Sequence, residues 1–324
     1  MKTEIFWKYK KNMNINKQFD IVTFGEAMVE FNQTGENNGL NYLQGFGGDI
    51  SNFAIASARS GAKVAITGAL GDDAYARMIR TLWDKEGINH ADVLVDSDAF
   101  TAIYFVTHGP LGHEFSFFRK GSAASQLTPS RLPKGSITNT KVLHLSGITL
   151  AISPASCDSS HLALDLARSS GAIISFDTNL RLKLWPIERA RTIINEFIGR
   201  SDICLPSFED ISAITGLSDP DKLVDHCLGL GAKTVALKLG GKGALIADSR
   251  QRFKINPHPC NCVDATGAGD TFGGAFVTRL IAGDDLMSAG TYASAAAALS
   301  TQGFGAVSPI PFLTEINEAL KFQN

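Results

Sequence analysis

The residues best placed to do chemistry lie in Val263-Asp264-Ala265-Thr266-Gly267-Ala268-Gly269-Asp270-Thr271-Phe272-Gly273-Gly274-Ala275-Phe276. A loop of small residues opens there directly into an apolar helix. Gly267, Ala268 and Gly269 would leave their N–H groups free at a helix N-terminus. Such amides, together with the helix dipole, bind an anion such as phosphate. Asp270 sits at the same spot with no basic neighbour nearby in sequence. A carboxylate there competes with phosphate unless it has work of its own. The work that fits is accepting a proton from a hydroxyl that attacks a phosphoryl group. The structural alternative is a helix cap at Asp270, with the glycines serving a close helix–strand contact. The segment is not a Walker A loop, because no Gly-x-x-x-x-Gly-Lys-[Ser/Thr] occurs in the chain. It is not a dinucleotide-binding fingerprint either, since the third glycine is misplaced and the segment lies near the C-terminus.

Composition bounds what can hold such a segment. The chain has 324 residues, 30 Lys+Arg against 32 Asp+Glu, 44% hydrophobic residues and 31 Gly. That apolar fraction can bury a sizeable core, which excludes wholesale disorder. Length alone suggests two domains, although α/β folds often run this long as one. The near-even charge argues against a nucleic-acid or membrane-surface protein, which would need a basic patch. Cys157, Cys204, Cys227, Cys260 and Cys262 are irregularly spaced; only Cys260 and Cys262 are close. Reduced thiols in a cytoplasmic protein are therefore expected. No apolar stretch of about 18 residues exists, so no transmembrane helix is expected. Residues 1–18 are polar and Lys-rich, lack the apolar region of a signal peptide, and read as a loose leader.

The elements that must position the segment alternate. Strands are expected at 19–25, 62–68, 142–145, 172–176, 203–205, 234–239 and from 244. Helices are expected at 49–60, 72–86, 159–169, 188–198, 221–230, 268–281, 286–301 and 313–322. Strands alternating with helices imply an α/β fold: a mostly parallel sheet covered on both faces. Residues 101–107 and 113–119 around His108-Gly109-Pro110-Leu111-Gly112 break this rhythm as a β-hairpin. His108 and His113 would decorate that hairpin rather than bind metal. With residues 29–45, the hairpin region 99–119 would form a smaller β lid on a single domain, 19–324. Ligands of such sheets sit beyond the carboxyl ends of the strands. Asp177, Pro206 and Gly240 fall just after strands, so chemistry is expected along that edge.

Asp264-Ala265-Thr266-Gly267-Ala268-Gly269-Asp270 resembles the C-terminal signature of the ribokinase-like (PfkB) sugar kinases. Gly47-Gly48-Asp49-Ile50-Ser51-Asn52-Phe53-Ala54, then Gly61 and Gly68-x-x-Gly71-Asp72-Asp73, resemble the N-terminal one. The resemblance spans about residues 19–315. It implies a ribokinase fold whose lid closes over the sugar, an anion hole of Gly267, Ala268 and Gly269, and Asp270 as general base. Phe176-Asp177-Thr178-Asn179-Leu180-Arg181-Leu182-Lys183-Leu184-Trp185 is similar to a stretch shared by 2-keto-3-deoxygluconate (KDG) kinases and fructokinases. Phe118-Arg119-Lys120-Gly121-Ser122-Ala123-Ala124 resembles the KDG kinase lid. The resemblance thus implies ATP-dependent phosphorylation of the terminal hydroxyl of KDG, to the 6-phosphate. Gly47, Gly48, Asn52, Tyr104, Phe117, Arg119 and Arg181 would join Asp270 around the sugar. Arg119 and Arg181 suit a carboxylate, which a guanidinium grips bidentately. Phe117 replaces a tyrosine common in KDG kinases, and Ala306 an aspartate found in some. The alternatives are a fructokinase or other neutral-sugar kinase, a nucleoside kinase, and a non-catalytic sugar-binding protein.

On the nucleotide side, Lys238-Leu239-Gly240-Gly241-Lys242-Gly243 resembles the family's glycine-rich ATP segment. Asn179, Ser207, Lys238, Gly240, Gly241, Gly243, Gly267, Gly269, Ser294 and Ala298 are the expected ATP contacts. Ser207 and Asp210 replace a more usual Asn-x-x-Glu, and Asp210 would hold Mg²⁺ through water. Asp264, with residues 303–308, would border a monovalent cation such as K⁺. An exposed lid edge would allow a homo-oligomer.

Overall fold

The structure, a computed structural model, describes residues 17–35, 39–109 and 112–321. Its strands are β1 (Phe19–Gly25), β2 (Met28–Gln33), β3 (Tyr42–Gly47), β4 (Val64–Gly71), β5 (Val93–Asp96), β6 (Ile103–Gly109), β7 (Gly112–Phe118), β8 (Thr140–Ser146), β9 (Ile173–Asp177), β10 (Ile203–Cys204), β11 (Thr234–Lys238), β12 (Ala244–Asp248) and β13 (Arg252–Ile255). Its helices are α1 (Asp49–Arg59), α2 (Ala74–Lys85), α3 (Gly147–Ala151), α4 (Pro154–Ser169), α5 (Ile187–Gly199), α6 (Phe208–Thr215), α7 (Pro220–Leu230), α8 (Ala268–Ala282), α9 (Leu286–Ser300) and α10 (Leu313–Lys321).

The fold is the expected α/β one, a large mostly parallel sheet with a smaller second sheet. Nine strands form one sheet in the order β13-β12-β11-β10-β9-β8-β1-β4-β5. It is parallel except at the β11–β12 and β12–β13 pairs. Burial on both faces explains the continuous apolar runs in its strands. Successive residues point to opposite faces: Val142 and Ile173 join the core beneath α8 and α9, while Leu143 and Ile174 join the core beneath α4 and α5.

A second sheet, β3-β2-β6-β7, is built from the two segments expected to form the lid. Its β6–β7 pair is the expected hairpin, and β2 pairs with β6 in parallel. Residues 110 and 111 of the expected turn, and 36–38 of the lid, lie outside the described residues. Phe117 and Phe118 are 44% and 56% exposed, so this sheet keeps an open apolar surface.

Several local expectations needed revision. Helix α4 begins at Pro154, five residues before Ser159, because Ser153 caps it by accepting from Ser156 N–H. The short α3, α6, β5 and β13 carry too few residues for a clear periodic signal. Residues 1–16 of the expected leader lie outside the described residues. Its last two are tied down: Lys17 Nζ donates to Thr138 O at 2.7 Å, and Gln18 N–H meets Asn139 Oδ1. Among the described residues no helix is long and apolar enough to cross a membrane. The five cysteines are free thiols, with Cys260 and Cys262 exposed.

One packing contact sets the geometry of everything that follows. Helix α8 lies against α1 with Gly274 at the crossing. A Cβ there would fall 2.6 Å from Phe53 O and 2.9 Å from Ala56 Cβ. Gly274→Ala should therefore force the helices apart and cost about 1–3 kcal/mol. Urea unfolding measures this, and an unchanged midpoint would show that the close approach is dispensable.

Candidate active site

The carboxyl ends of the parallel strands converge on one edge, as expected. Glu26 follows β1, Ser146 ends β8, Asp177 ends β9 and Lys238 ends β11. Helix α1 starts at this edge and α8 joins it from the C-terminal part of the chain.

Gly48 precedes α1 with φ +97°, and an added Cβ would lie 2.5 Å from Glu26 O. Only glycine fits this left-handed, crowded position. Its carbonyl accepts from Ser51 and Asn52 N–H, which starts the helix. One turn in, Asn52 Nδ2 donates to Asp270 Oδ2 at 2.9 Å. Asn52 Oδ1 is buried without a protein partner. Gly47 lies against the Tyr104 hydroxyl, 2.2 Å from where its Cβ would be. That hydroxyl donates to Glu30 Oε2 at 2.5 Å. The Phe117 ring stacks on Tyr104 with centroids 5.5 Å apart, so the lid presents an aromatic face.

Asp270 lies in the first turn of α8. The helix has no side-chain cap, and Gly267 takes the left-handed conformation at its start. Asp270 is thus not the capping residue of the structural alternative. Ala268 N–H turns back to Ala265 O at 3.2 Å, so that amide is already engaged. Lys238 Nζ lies 3.5 Å from where a Gly269 Cβ would be, which puts a cation beside the helix start. Burial raises the Asp270 carboxyl to about 7, helped by the charges of Asp49 and Asp177; Asn52 and Lys238 oppose the rise.

Asp49 and Asp177 were not among the expected site residues. Asp49 accepts from Ser146 Oγ and, at 3.2 Å, from Asn179 Nδ2. Burial raises its carboxyl, while Ser146, Arg119 and Arg181 pull it down. Asp177 pairs with Lys238 Nζ and accepts from Asn179 N–H. Burial raises it too. Asn179 adopts φ +30°, a left-handed backbone rare outside glycine. Signals for both existed: Asp49 is spaced i, i+3 from Asn52, and Asp177 ends a strand at the chemical edge.

Other expected residues have different occupations. Arg119 forms a buried pair with Glu26. Arg181 is exposed and donates to Leu180 O, yet its charge reaches Asp49. Lys238 is committed to Asp177 rather than standing free for phosphate. Ser207 caps α6 by accepting from Asp210 N–H at 3.1 Å, so the Ser-x-x-Asp spacing is a helix start. Ser294 Oγ donates to Asn256 O. Gly243 is packed against β13, since its Cβ would meet Ile255 O at 2.0 Å, whereas Gly240 and Gly241 face open space. Ala298 is half-buried, with its carbonyl taken by Thr301.

Two residues were expected at metals. Asp210 is half-buried and accepts from Thr178 Oγ1 at 3.3 Å. No group of three His, Cys, Asp or Glu side chains forms an all-protein cage among the described residues. A half-open carboxylate of this kind fits Mg²⁺, which keeps waters and phosphate oxygens as ligands. Asp264 accepts from Thr266 N–H and Oγ1 through one oxygen and from Gly305 N–H through the other. Its evident work is to tie the glycine loop to residue 305.

Residues 18–313 match the pfkB family of carbohydrate kinases. The chain is 34% identical to a protein named probable fructokinase-4 of Arabidopsis thaliana, over 93% of this chain and 96% of that one. A putative ribokinase II from E. coli, solved with ATP and Mg²⁺, superposes with a TM-score of 0.86 at 26% identity, covering 94% and 99% of the two chains. A fructokinase from Vibrio cholerae, solved with fructose, ADP and a calcium ion, gives 0.83 at 27% identity, covering 93% and 99%. The chain belongs to the pfkB family of carbohydrate kinases.

Proposed function

We propose that this kinase transfers the γ-phosphoryl group of ATP to the primary hydroxyl of a ketose, with fructose as the first substrate. The observation that carries the chemistry is the Asn52–Asp270 contact beside Lys238 and the start of α8. It holds a proton acceptor and a cation at one anion-binding helix terminus. The fructokinase relatives support a neutral sugar over the KDG that the lid segment suggested.

Sugar would lie between the lid's Tyr104–Phe117 face and Gly47–Gly48. Asp270 takes the proton of the attacking hydroxyl. The Gly267 and Gly269 amides meet charge developing on the phosphoryl oxygens, and Lys238, still paired with Asp177, adds a positive field beside them. ATP would lie along the open Gly240–Gly241 turn and Ala298. Mg²⁺, held through water by Asp210, would neutralise phosphate charge. Asp264 serves the loop, and no step runs through a monovalent cation. A homo-oligomer through the lid edge and a cytoplasmic location remain part of this proposal.

KDG is the second reading, favoured by the exposed Arg181 near Asp49. ADP release with fructose, KDG, ribose and adenosine separates the two; a preference for ribose or adenosine would overturn both.

Asp270→Asn should lower kcat by roughly 10²–10⁴ while the fold stays intact. Turnover near that of the parent protein would remove Asp270 from the mechanism. Because the base must be ionised, kcat/KM should fall as pH drops below about 7. A profile flat from pH 5 to 8 would contradict this. Stability follows the opposite sign. The folded carboxyl binds its proton more tightly than the ordinary 3.8, so stability declines between about pH 4 and 7. Asp270→Asn should remove that decline, and its thermal advantage over the parent should be largest above pH 7.

A further inference from the structure

The root of the lid is closed by a buried charge pair. Glu26 lies between β1 and β2 and is 2% exposed; Arg119 follows β7 and is 8% exposed. Arg119 Nε donates to Glu26 Oε2 at 2.8 Å; Nη2 lies 2.5 Å from the same oxygen without the alignment of a hydrogen bond. Ser122 Oγ donates to Glu26 Oε1 at 2.6 Å. Both carboxylate oxygens are therefore engaged by the chain that leaves the lid. The pair borders the proposed sugar site. Glu26 O abuts Gly48, and the Arg119 guanidinium lies 5.6 Å from the centre of the Phe117 ring.

The charge around that site is already more negative than positive before any sugar enters. The positive charges of Arg119 and Arg181 both act on Asp49, and Glu26 engages Arg119 directly. Asp270 adds a negative charge when ionised. A neutral sugar adds no further charge to it. A sugar carboxylate must compete with Glu26 for Arg119, and desolvated like charges are costly.

We infer that Glu26 is a specificity-determining residue: by holding Arg119 in a closed buried pair, it makes the site favour an uncharged sugar over a sugar acid. It acts through Arg119 and is a positioning residue, not a catalytic one. The inference rests on the sugar-kinase reading and narrows its substrate class.

The test is the ratio of kcat/KM for KDG to that for fructose. Wild-type protein should favour fructose. Glu26→Gln should move the ratio toward the acid by about tenfold or more, chiefly through KM. Arg119→Met, which leaves Glu26 unpaired, should move it the other way. Glu26→Asp keeps the charge and should restore the wild-type preference. If Glu26→Gln does not fold, Arg119→Met and Glu26→Asp carry the test. A purely structural role would lower both activities alike, so a ratio constant within twofold in the folded variants overturns the inference. A wild type that prefers KDG overturns it as well. A wild type inactive on both sugars overturns the fructose and KDG readings of the proposed function, and the inference with them.

Discussion

The contact between α1 and α8 is the constraint on which the candidate site depends. Gly274 lets the two helices meet almost backbone to backbone. That closeness brings Asn52, early in the chain, within 2.9 Å of Asp270 near its end. Neither half alone makes a site. The first half supplies a helix start, the Gly47–Gly48 pair and an amide donor. The second supplies the carboxylate and the glycine-loop start of α8. The parallel sheet makes the meeting possible, because its strands all deliver their carboxyl ends to one edge.

Electrostatics at that edge are collective. Asp49, Asp177 and Asp270 each carry a raised carboxyl whose main cause is burial. Lys238 offsets Asp177, and two arginines offset Asp49. Asp270, which gains least from such partners, is left near neutrality. Its basicity is therefore a property of the whole group. A low-dielectric pocket with more negative than positive charge makes one member a better base than an isolated aspartate.

Much of this was legible in the chain. The strand–helix alternation, the hairpin and the Gly267–Asp270 loop are local patterns, and local patterns survive in sequence. Charge partnerships do not, because they depend on which strand lies beside which. Nothing in its local sequence marks Glu26, whose partners Arg119 and Ser122 lie more than ninety residues away. Lys238 read as a phosphate ligand because its partner Asp177 is distant in sequence. Ser207 is a different case. Its Ser-x-x-Asp spacing was visible as a helix start, and the metal reading passed over the simpler one. Substrate choice was least legible, since a carboxylate-binding arginine and a neutralised one are the same letter.

Asn179 connects these charges to the shape of the backbone. Its amide donates to Asp177 and its side chain to Asp49, and between them the residue is held at φ +30°. A conformation this unfavourable persists only when its surroundings over-determine it. Here the surroundings are two acids. The peptide path after β9 is thus fixed by electrostatics as well as by packing. Neighbouring Thr178 touches Asp210, and Arg181 lies two residues on. Charge and chain direction are one mechanical unit, and a proton gained at either acid is also a change in how firmly that loop holds its course.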